Sequence, residues 1–367
     1  MPWGRVLNRA ALAVAALLSL ALLVGSGLIW WRYHQFRGDI ETVSLDGGSK
    51  PAKDIDGKEQ NILLVADDSR VGMTKKEIKK YHVGNVQTAG TDVMMIIHLP
   101  KNGAKATVIS LPRDSYVAIP GHGKAKLNAA YVFGHHDARG TERQKAAAGA
   151  QLLRNTIQDL TGLTIDHYVS IGFVGFARIS DAIGPITVNM CAAVKEAKSG
   201  VDLPKGKSTI EGASALAFVR QRYNFPDGLG DFDRVRRQQY FLTAAFRMAA
   251  SGGGILSLPG LLDAIQKSVV IDDNLDPLEL GRQLQSLTAN NIISATLPLE
   301  RFDKVNGSDV NIVDPVAVKA FIQDLVRPPV KPSPSSTGSP ISPSTTSPTT
   351  KPSPAKPSQA IDLGCID

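Results

Sequence analysis

The stretch Asn61-Ile-Leu-Leu-Val65 is a short apolar run, and two similar runs follow at residues 93–99 and 107–111. Runs of this kind are typical of strands covered on both faces, whereas a half-exposed strand alternates apolar and polar residues. The same pattern predicts two more strands, at 186–190 and 292–297.

Helical patterns alternate with these strands along the chain. They cover residues 143–160, 173–183, 211–219, 235–248, 277–287 and 315–325. Gly162 and Gly184 are suitable helix ends, because glycine readily adopts the left-handed conformation found there. The alternation predicts an α/β fold with a central mixed sheet flanked by helices on both faces, a three-layer α-β-α arrangement.

Near the N-terminus, residues 10–31 form a stretch of 22 residues without a charge. A helix of that length spans about 33 Å, enough for a bilayer core. Arg5 and Arg9 precede it, so we expect residues 1–9 in the cytoplasm, a single transmembrane helix and the rest of the chain outside the cell membrane. A cleaved signal peptide is the alternative, although the apolar stretch is longer than is usual for one.

The remaining chain divides by composition. We predict a juxtamembrane linker at 32–56, a catalytic domain at 57–326, a disordered Pro/Ser/Thr-rich linker at 327–359 and a cysteine-containing tail at 360–367. Cys191 and Cys365 suit an exported protein, in which a pair can oxidise. An intramolecular disulfide, two free thiols and an intermolecular bridge all stay open, and the first is our prediction.

The formal net charge of +7 arises mainly outside the domain. Basic residues outnumber acidic ones at both ends of the chain, and the stretch between residues 38 and 326 is nearly neutral. A nucleic-acid-binding face would need more excess positive charge than this, so we expect no nucleic-acid partner.

The cationic groups of the domain are concentrated between residues 220 and 239, which hold five arginines. The planar guanidinium fork can donate two hydrogen bonds to one phosphate. A solvated helix face is the alternative, but an apolar run leads directly into Arg220 and a Pro/Gly-rich turn at 226–230 reverses the chain before Arg234. Both sides of the turn can then face one phosphate or diphosphate site.

Carboxylates follow or precede the predicted strands. Asp68 follows the first strand and Asp92 precedes the second. Mg2+ takes one or two carboxylates together with phosphate oxygens, so these two aspartates are candidate ligands for Mg2+ or Mn2+. Loop capping is the alternative role for both.

The chain resembles the LytR-CpsA-Psr family of membrane-anchored enzymes that attach glycopolymers to bacterial peptidoglycan. The resemblance runs through five segments in order: 61–70, 91–95, 111–114, 126–131 and 220–239. Two positions depart from the family pattern, Ala66 where glycine is common and Gly90 where an arginine is common. The phosphate contact that the second departure removes is therefore either missing or supplied by Arg70.

The resemblance implies a phosphotransferase that moves a glycopolymer from a polyprenyl diphosphate carrier to peptidoglycan, leaving a phosphodiester bond. It implies that Asp68 and Asp92 hold magnesium. The residues it places at the diphosphate or the reacting centre are Arg113, Lys126, Asn128, Arg220, Arg222, Asp231, Arg234 and Gln238. Asp231 is the residue we predict at the catalytic centre, as a general base, an orienting group or a clamp for the arginines. Asp114 is the other candidate general base.

Two other functions stay open. A polyprenyl diphosphate hydrolase would use the same metal and arginines with water as the acceptor. A non-catalytic carrier of lipid-linked glycan would need the arginines alone. Asp233 and Arg237 are predicted as supporting or surface residues.

Overall fold

The computed structural model describes residues 33–45, 59–67, 75–81, 90–101, 105–223, 231–250, 258–277 and 292–327, with a few others that include 364–367. Most of the predicted anchor and of the Pro/Ser/Thr-rich linker lies outside these residues. Within the described ranges, no helix is both long and apolar enough to cross a membrane.

A central mixed sheet organises the domain. Its strands are β1 (Glu41–Val43), β2 (Gln60–Asp67), β3 (Thr91–Leu99), β4 (Ala106–Ser110), β7 (His167–Gly172), β12 (Val269–Asp272) and β13 (Ile292–Thr296). In the described part of the chain they form a seven-stranded sheet in the order β1-β12-β7-β2-β3-β4-β13. Strand β2 pairs in parallel with β7 and antiparallel with β3, so the predicted mixed sheet is confirmed.

The helices follow most of the predicted patterns. Their bounds are α1 (Lys75–Lys80), α2 (Ala129–Asp137), α3 (Glu142–Thr161), α4 (Phe173–Ile183), α5 (Gly212–Arg220), α6 (Asp231–Ala250), α7 (Leu258–Gln266) and α8 (Pro315–Val326). The predicted helix at 277–287 lies largely outside the described residues. Helices α1, α2 and α7 were not predicted.

Both predicted helix ends are confirmed. Gly162 ends α3 with a φ of 75°, and its N–H donates to the carbonyl oxygen of Gln158. Gly184 ends α4 with a φ of 94° and donates in the same way to Ser180. Both φ values lie where residues with a Cβ are strained.

Alternate residues of β2 point into different apolar clusters. Leu63 and Val65 are buried in the cluster that includes Leu153 of α3 and Ile322 of α8. The neighbouring Leu64 packs instead in a cluster with Leu242 of α6. Since successive side chains of a strand point to opposite faces, helices cover this sheet on both sides.

Strands β1, β7 and β12 of the central sheet escaped prediction, and so did seven short strands outside it. The seven are β5 (Ser115–Ile119), β6 (Gly123–Lys126), β9 (Val194–Glu196), β10 (Val201–Leu203), β11 (Gly206–Ile210), β14 (Arg301–Val305) and β15 (Ser308–Ile312). The predicted strand at 186–190 is β8 (Ile186–Met190), but it pairs with β11 in a separate two-stranded sheet.

The folded domain begins earlier than the predicted boundary at Gly57. Strand β1 pairs in parallel with β12 at the edge of the central sheet. Ahead of it, the Tyr33 hydroxyl donates to the Asp276 carboxylate at 2.6 Å. Part of the predicted linker at 32–56 therefore belongs to the domain.

Candidate functional site

A cavity of about 670 Å3 lies between β2, β3, α4, α5 and α6. Its interior is apolar and is lined by Leu64, Met95, Ile171, Phe173, Phe176, Ile179, Ile183, Leu216, Val219, Phe241, Leu242 and Ala245. Polar groups also line it, namely Asp92, Arg113, Asn128, Arg220, Arg222, Arg234 and Gln238. We call these two sets the apolar interior and the polar end.

Helix α6 contributes to both sets. Arg234 and Gln238 are one helical turn apart, and Phe241, Leu242 and Ala245 continue along the same face. Arg234 and Ala245 are eleven residues apart in the sequence, which corresponds to about 16 Å along a helix. One helix face thus passes from guanidinium and amide groups to hydrocarbon.

Helix α4 forms the opposing apolar wall. Phe173, Phe176 and Ile183 recur at helical spacing and line the cavity. Phe176 and Phe241 of α6 bring their ring centroids to 5.0 Å. The structure thus places both aromatic rings of α4 at the cavity.

Asp92 lies at the centre of the polar end. Its two carboxylate oxygens accept from Arg113 Nη1 at 2.5 Å and from Arg222 Nη2 at 2.9 Å. The sheet register explains the first contact, because β3 and β4 pair antiparallel with Met95 opposite Ser110. The start of β3 therefore lies beside the chain that leaves β4 toward Arg113.

The charge of Asp92 is set by its surroundings. Burial by itself would raise the pKa of this carboxyl group. The guanidinium groups of Arg222, Arg113 and Arg234 outweigh burial and lower the pKa below its ordinary value. Asp92 is thus an anion that interacts with arginines from three separate parts of the chain.

Arg220 and Gln238 complete the wall next to this cluster. The Arg220 guanidinium lies 4.8 Å from the ring centroid of Phe173, and its Nη1 donates to the Tyr81 carbonyl at 3.4 Å. Gln238 Nε2 donates to the carbonyl oxygen of Val219 at 3.3 Å. The contacts of Arg220 join α5 to α4 and to Tyr81, and that of Gln238 joins α6 to α5.

Lys126 contacts the polar end indirectly, through other side chains. Its Nζ lies 2.8 Å from Asp114 Oδ1, and Asp114 Oδ2 lies 3.5 Å from Arg113 Nε. Lys126 is not among the lining residues, so the structure connects it to the polar end through Asp114 and Arg113.

Three predicted site residues lie beyond what the structure describes. Asp68 and Arg70 fall outside the described residues, and for Asp231 only the backbone, as the first residue of α6, is described. Within the described ranges, no group of three or more His, Cys, Asp or Glu side chains could enclose a metal ion.

The hairpin of β9 and β10, together with Tyr223 after α5, adds residues that the sequence did not mark. Glu196, Lys198, Ser199 and Tyr223 also line the cavity. The buried Glu196 carboxylate accepts from the backbone N–H groups of Lys198 at 2.7 Å and Ser199 at 3.0 Å, which holds the turn. Lys198 Nζ lies 3.9 Å from the ring centroid of Tyr223. No sequence motif marks this contact between distant segments.

Asp233 and Arg237 are not surface residues, which corrects one of the two roles predicted for them. Each is 1% exposed. Arg237 donates from Nε to the main-chain oxygen of Asp367 at 2.8 Å and from Nη1 to Gln221 Oε1. Burial of a charged group is tolerated only with such partners.

A mixed α/β domain with an arginine-rich end and an apolar interior suits an amphiphile with an anionic head group. The sequence pattern of the LytR_cpsA_psr family matches residues 36–326, and the chain belongs to this family.

Known relatives agree with that assignment. The cell wall biosynthesis protein LcpA of Corynebacterium glutamicum is 33% identical over 341 residues, which cover 86% of this chain and 65% of LcpA. TagU of Oceanobacillus iheyensis, a polyisoprenyl-teichoic acid–peptidoglycan teichoic acid transferase, is 31% identical over 80% of this chain and 86% of TagU. TagT (YwtF) of Bacillus subtilis, solved with bound octaprenyl pyrophosphate lipid, shares the fold with a TM-score of 0.52 and 21% identity, over 77% of this chain and 98% of TagT.

Proposed function

We propose that the protein is a phosphotransferase that attaches a glycopolymer from a polyprenyl diphosphate carrier to peptidoglycan through a phosphodiester bond. The observation that carries this proposal is one cavity in which an apolar interior meets arginines gathered around Asp92. The relative TagU is named for a transfer of this type, and TagT binds a prenyl diphosphate lipid.

The two parts of the cavity bind different parts of the donor. The prenyl chain occupies the apolar interior, where removal of hydrocarbon from water provides most of the binding energy. The diphosphate lies at the polar end, within reach of Arg113, Arg220, Arg222 and Arg234. Guanidinium groups bind phosphate oxygens through paired hydrogen bonds, so the head group is oriented as well as neutralised.

The chemical step is a displacement at phosphorus. A hydroxyl oxygen of the peptidoglycan sugar attacks the phosphorus that carries the glycan, and the bond to the bridging oxygen breaks. Prenyl phosphate leaves with the bonding electrons, and the hydroxyl proton passes to a base. Prepositioned cations lower the barrier because charge develops on the equatorial and leaving oxygens.

Asp231 is our proposal for the base, with Asp114 as the other candidate. Asp231 begins α6 three residues before Arg234, so its position in the chain is adjacent to the arginine cluster. Asp114 is already paired with Lys126 and Arg113. Asp92 is a poor base because its lowered pKa makes it a weak proton acceptor.

Magnesium, or manganese, is proposed as the cofactor, held by Asp92 and Asp68 together with diphosphate oxygens. Asp92 fits this role: each of its oxygens accepts one arginine hydrogen bond, and a carboxylate has about four lone-pair sites in all. The metal would add positive charge beside the diphosphate. We further propose that residues 10–31 anchor the chain with the domain outside the cytoplasm, where peptidoglycan lies.

The test is transfer by the full chain in detergent, with a labelled prenyl diphosphate glycan and a peptidoglycan oligomer, with and without Mg2+. We expect label on the oligomer and a rate that rises with Mg2+. Release of prenyl phosphate without labelled oligomer would identify a hydrolase, and tight donor binding without either product would identify a carrier.

A further inference from the structure

Residues 364–367 form part of the folded domain, although a long Pro/Ser/Thr-rich stretch separates them from α8. Cys365 forms a disulfide with Cys191. The Ile366 N–H donates to the Asn189 carbonyl at 2.8 Å, and the Cys191 N–H donates to the Ile366 carbonyl at 2.9 Å. Ile366 is 6% exposed and packs in the same apolar cluster as α5 and α6. This segment therefore extends the sheet at β8 and contributes to the core.

Arg237 connects the segment to helix α6. As described above, it donates to the main-chain oxygen of Asp367 and to the side chain of Gln221. Its guanidinium also lies 4.9 Å from the ring centroid of Phe218. Burial lowers the pKa of Arg237 to about 10, against the opposite effects of Asp367 and Asp233, so the group stays charged at neutral pH. A buried charge of this kind depends on each of its acceptors.

Gln221 connects Arg237 to the arginines of the polar end. It is fully buried and lies between Arg220 and Arg222 in the chain. While its Oε1 accepts from Arg237, its Nε2 donates to the Tyr223 carbonyl at 2.8 Å. The backbone on either side of Arg222 is therefore held by one side chain, which is itself held by Arg237.

We propose that residues 365–367 are a positioning element of the polar end, which acts through Arg237 and Gln221 to hold Arg220 and Arg222 where they meet the diphosphate. The inference rests on the proposed function of the cavity. Loss of the Cys191–Cys365 bridge lets Asp367 move away, and the Arg237 guanidinium then loses its hydrogen bond to the main-chain oxygen of Asp367. Arg237 must shift toward other acceptors, and Gln221 shifts with it. The apolar interior shares an apolar cluster with Ile366, but apolar packing has little directional preference, so its affinity for hydrocarbon changes little.

The test compares two probes on the full chain in detergent by calorimetric titration. Farnesyl diphosphate reports on both parts of the cavity, and farnesol reports on the apolar interior alone. In the double variant Cys191→Ser with Cys365→Ser, we expect farnesyl diphosphate to bind about tenfold more weakly, as small displacements of site groups produce losses of this order or larger. We expect farnesol to bind as it does to the wild type. Equal loss for both probes would mean general loosening of the core, and no loss for either would mean that the segment does not act on the site; both results overturn the proposal.

Two further variants sharpen the test. Gln221→Ala should reproduce the selective loss for farnesyl diphosphate, and its effect should not add to that of the cysteine variant, because both act through Arg237. Additive effects would overturn the pathway. The matched control is Ile210→Val in β11, which lowers the stability of the same core without touching Arg237. It should lower the Tm and leave both affinities unchanged.

The wild-type titration separates this inference from the proposed function. If the wild type binds farnesyl diphosphate no better than farnesol, the diphosphate site is wrong and the positioning proposal is overturned with it. If the wild type prefers farnesyl diphosphate and the cysteine variant keeps that preference, only the positioning proposal is overturned.

Discussion

The polar end and the apolar interior of the cavity are built in different ways. The polar end combines Asp92 of β3, Arg113 from the loop after β4, Arg222 after α5 and Arg234 of α6, and it depends on individual contacts such as those of Asp92. The apolar interior is mostly the regular faces of α4 and α6. We infer that geometry determines the function of the first part and volume that of the second.

This difference predicts different tolerance to substitution. Apolar walls accept changes that conserve volume, because dispersion and burial have little directional preference. A cluster of charges around one carboxylate has no equivalent tolerance, since each arginine fork has a fixed geometry.

Arg222→Ala should have the largest effect. It removes a phosphate ligand and one of the two guanidinium groups that donate to the Asp92 carboxylate. We expect kcat/KM for transfer to fall by about a hundredfold to a thousandfold, the usual cost of losing one charge-stabilising donor. Steady-state transfer kinetics measure this effect. Arg301→Ala, at an exposed arginine of β14 outside the cavity, is the matched control and should keep full activity.

Arg222→Lys distinguishes charge from geometry at the same position. Lysine keeps the charge but loses the fork, so we expect an activity between those of wild type and Arg222→Ala. Full activity of Arg222→Ala would remove this residue from the site.

Asp92→Asn should have the next largest effect. The amide has the size of the carboxylate but no charge, so Arg113, Arg222 and Arg234 lose the anion around which they gather. We expect transfer to fall by about tenfold to a hundredfold, as is typical when a group that orients site residues is replaced. The half-saturating Mg2+ concentration is measured in the same assay and should rise. Wild-type values of both would contradict the central role given to Asp92.

Ala245→Phe should affect only the apolar interior. The larger side chain occupies space about 16 Å along α6 from Arg234, so a short prenyl donor should still fit while a long one should not. We expect transfer from a long-chain donor to fall about tenfold, with little change for a two-unit donor. The ratio of the two rates is the measurement. An unchanged ratio would mean that the prenyl chain does not extend to Ala245.

The sequence predicted one half of the central sheet, β2, β3, β4 and β13, better than the other half or the smaller sheets. The buried strands β2, β3 and β4 are recognisable in the sequence as apolar runs, because both of their faces are covered. Strands β14 and β15 do not: the former is almost entirely exposed, and the latter joins β5 by pairing Asn311 with Ser115 far along the chain. Local periodicity contains no information about such pairing.

The polar end shows the same contrast between local and long-range information. Asp92, Arg113 and Arg222 were predicted to share a site because strand ends and motifs identify them, and the structure brings them together. The burial of Arg237 could not be predicted, because its partners Asp367 and Gln221 are distant in the chain and become acceptors only in the fold.

The smallest predicted effect concerns His98, which lies near the opposite end of β3 from Asp92. It is 2% exposed, and its Nδ1 lies 2.9 Å from Asn61 Oδ1. Burial lowers the pKa of His98 below its ordinary value, and the nearby Glu59 and Asp166 only partly oppose this. Below about pH 6.5 the His98 imidazole therefore binds a proton in the unfolded chain but not in the folded protein. The free energy of unfolding falls as the pH drops toward the folded pKa.

The substitution His98→Gln removes this titration. The unfolding free energy of the wild type should therefore fall more than that of the variant between pH 7.5 and 5.5. Denaturant unfolding at the two pH values measures it, and a constant difference would show that His98 titrates alike in both states. Prenyl diphosphate affinity should show no such dependence on His98, because the residue is not among those that line the cavity.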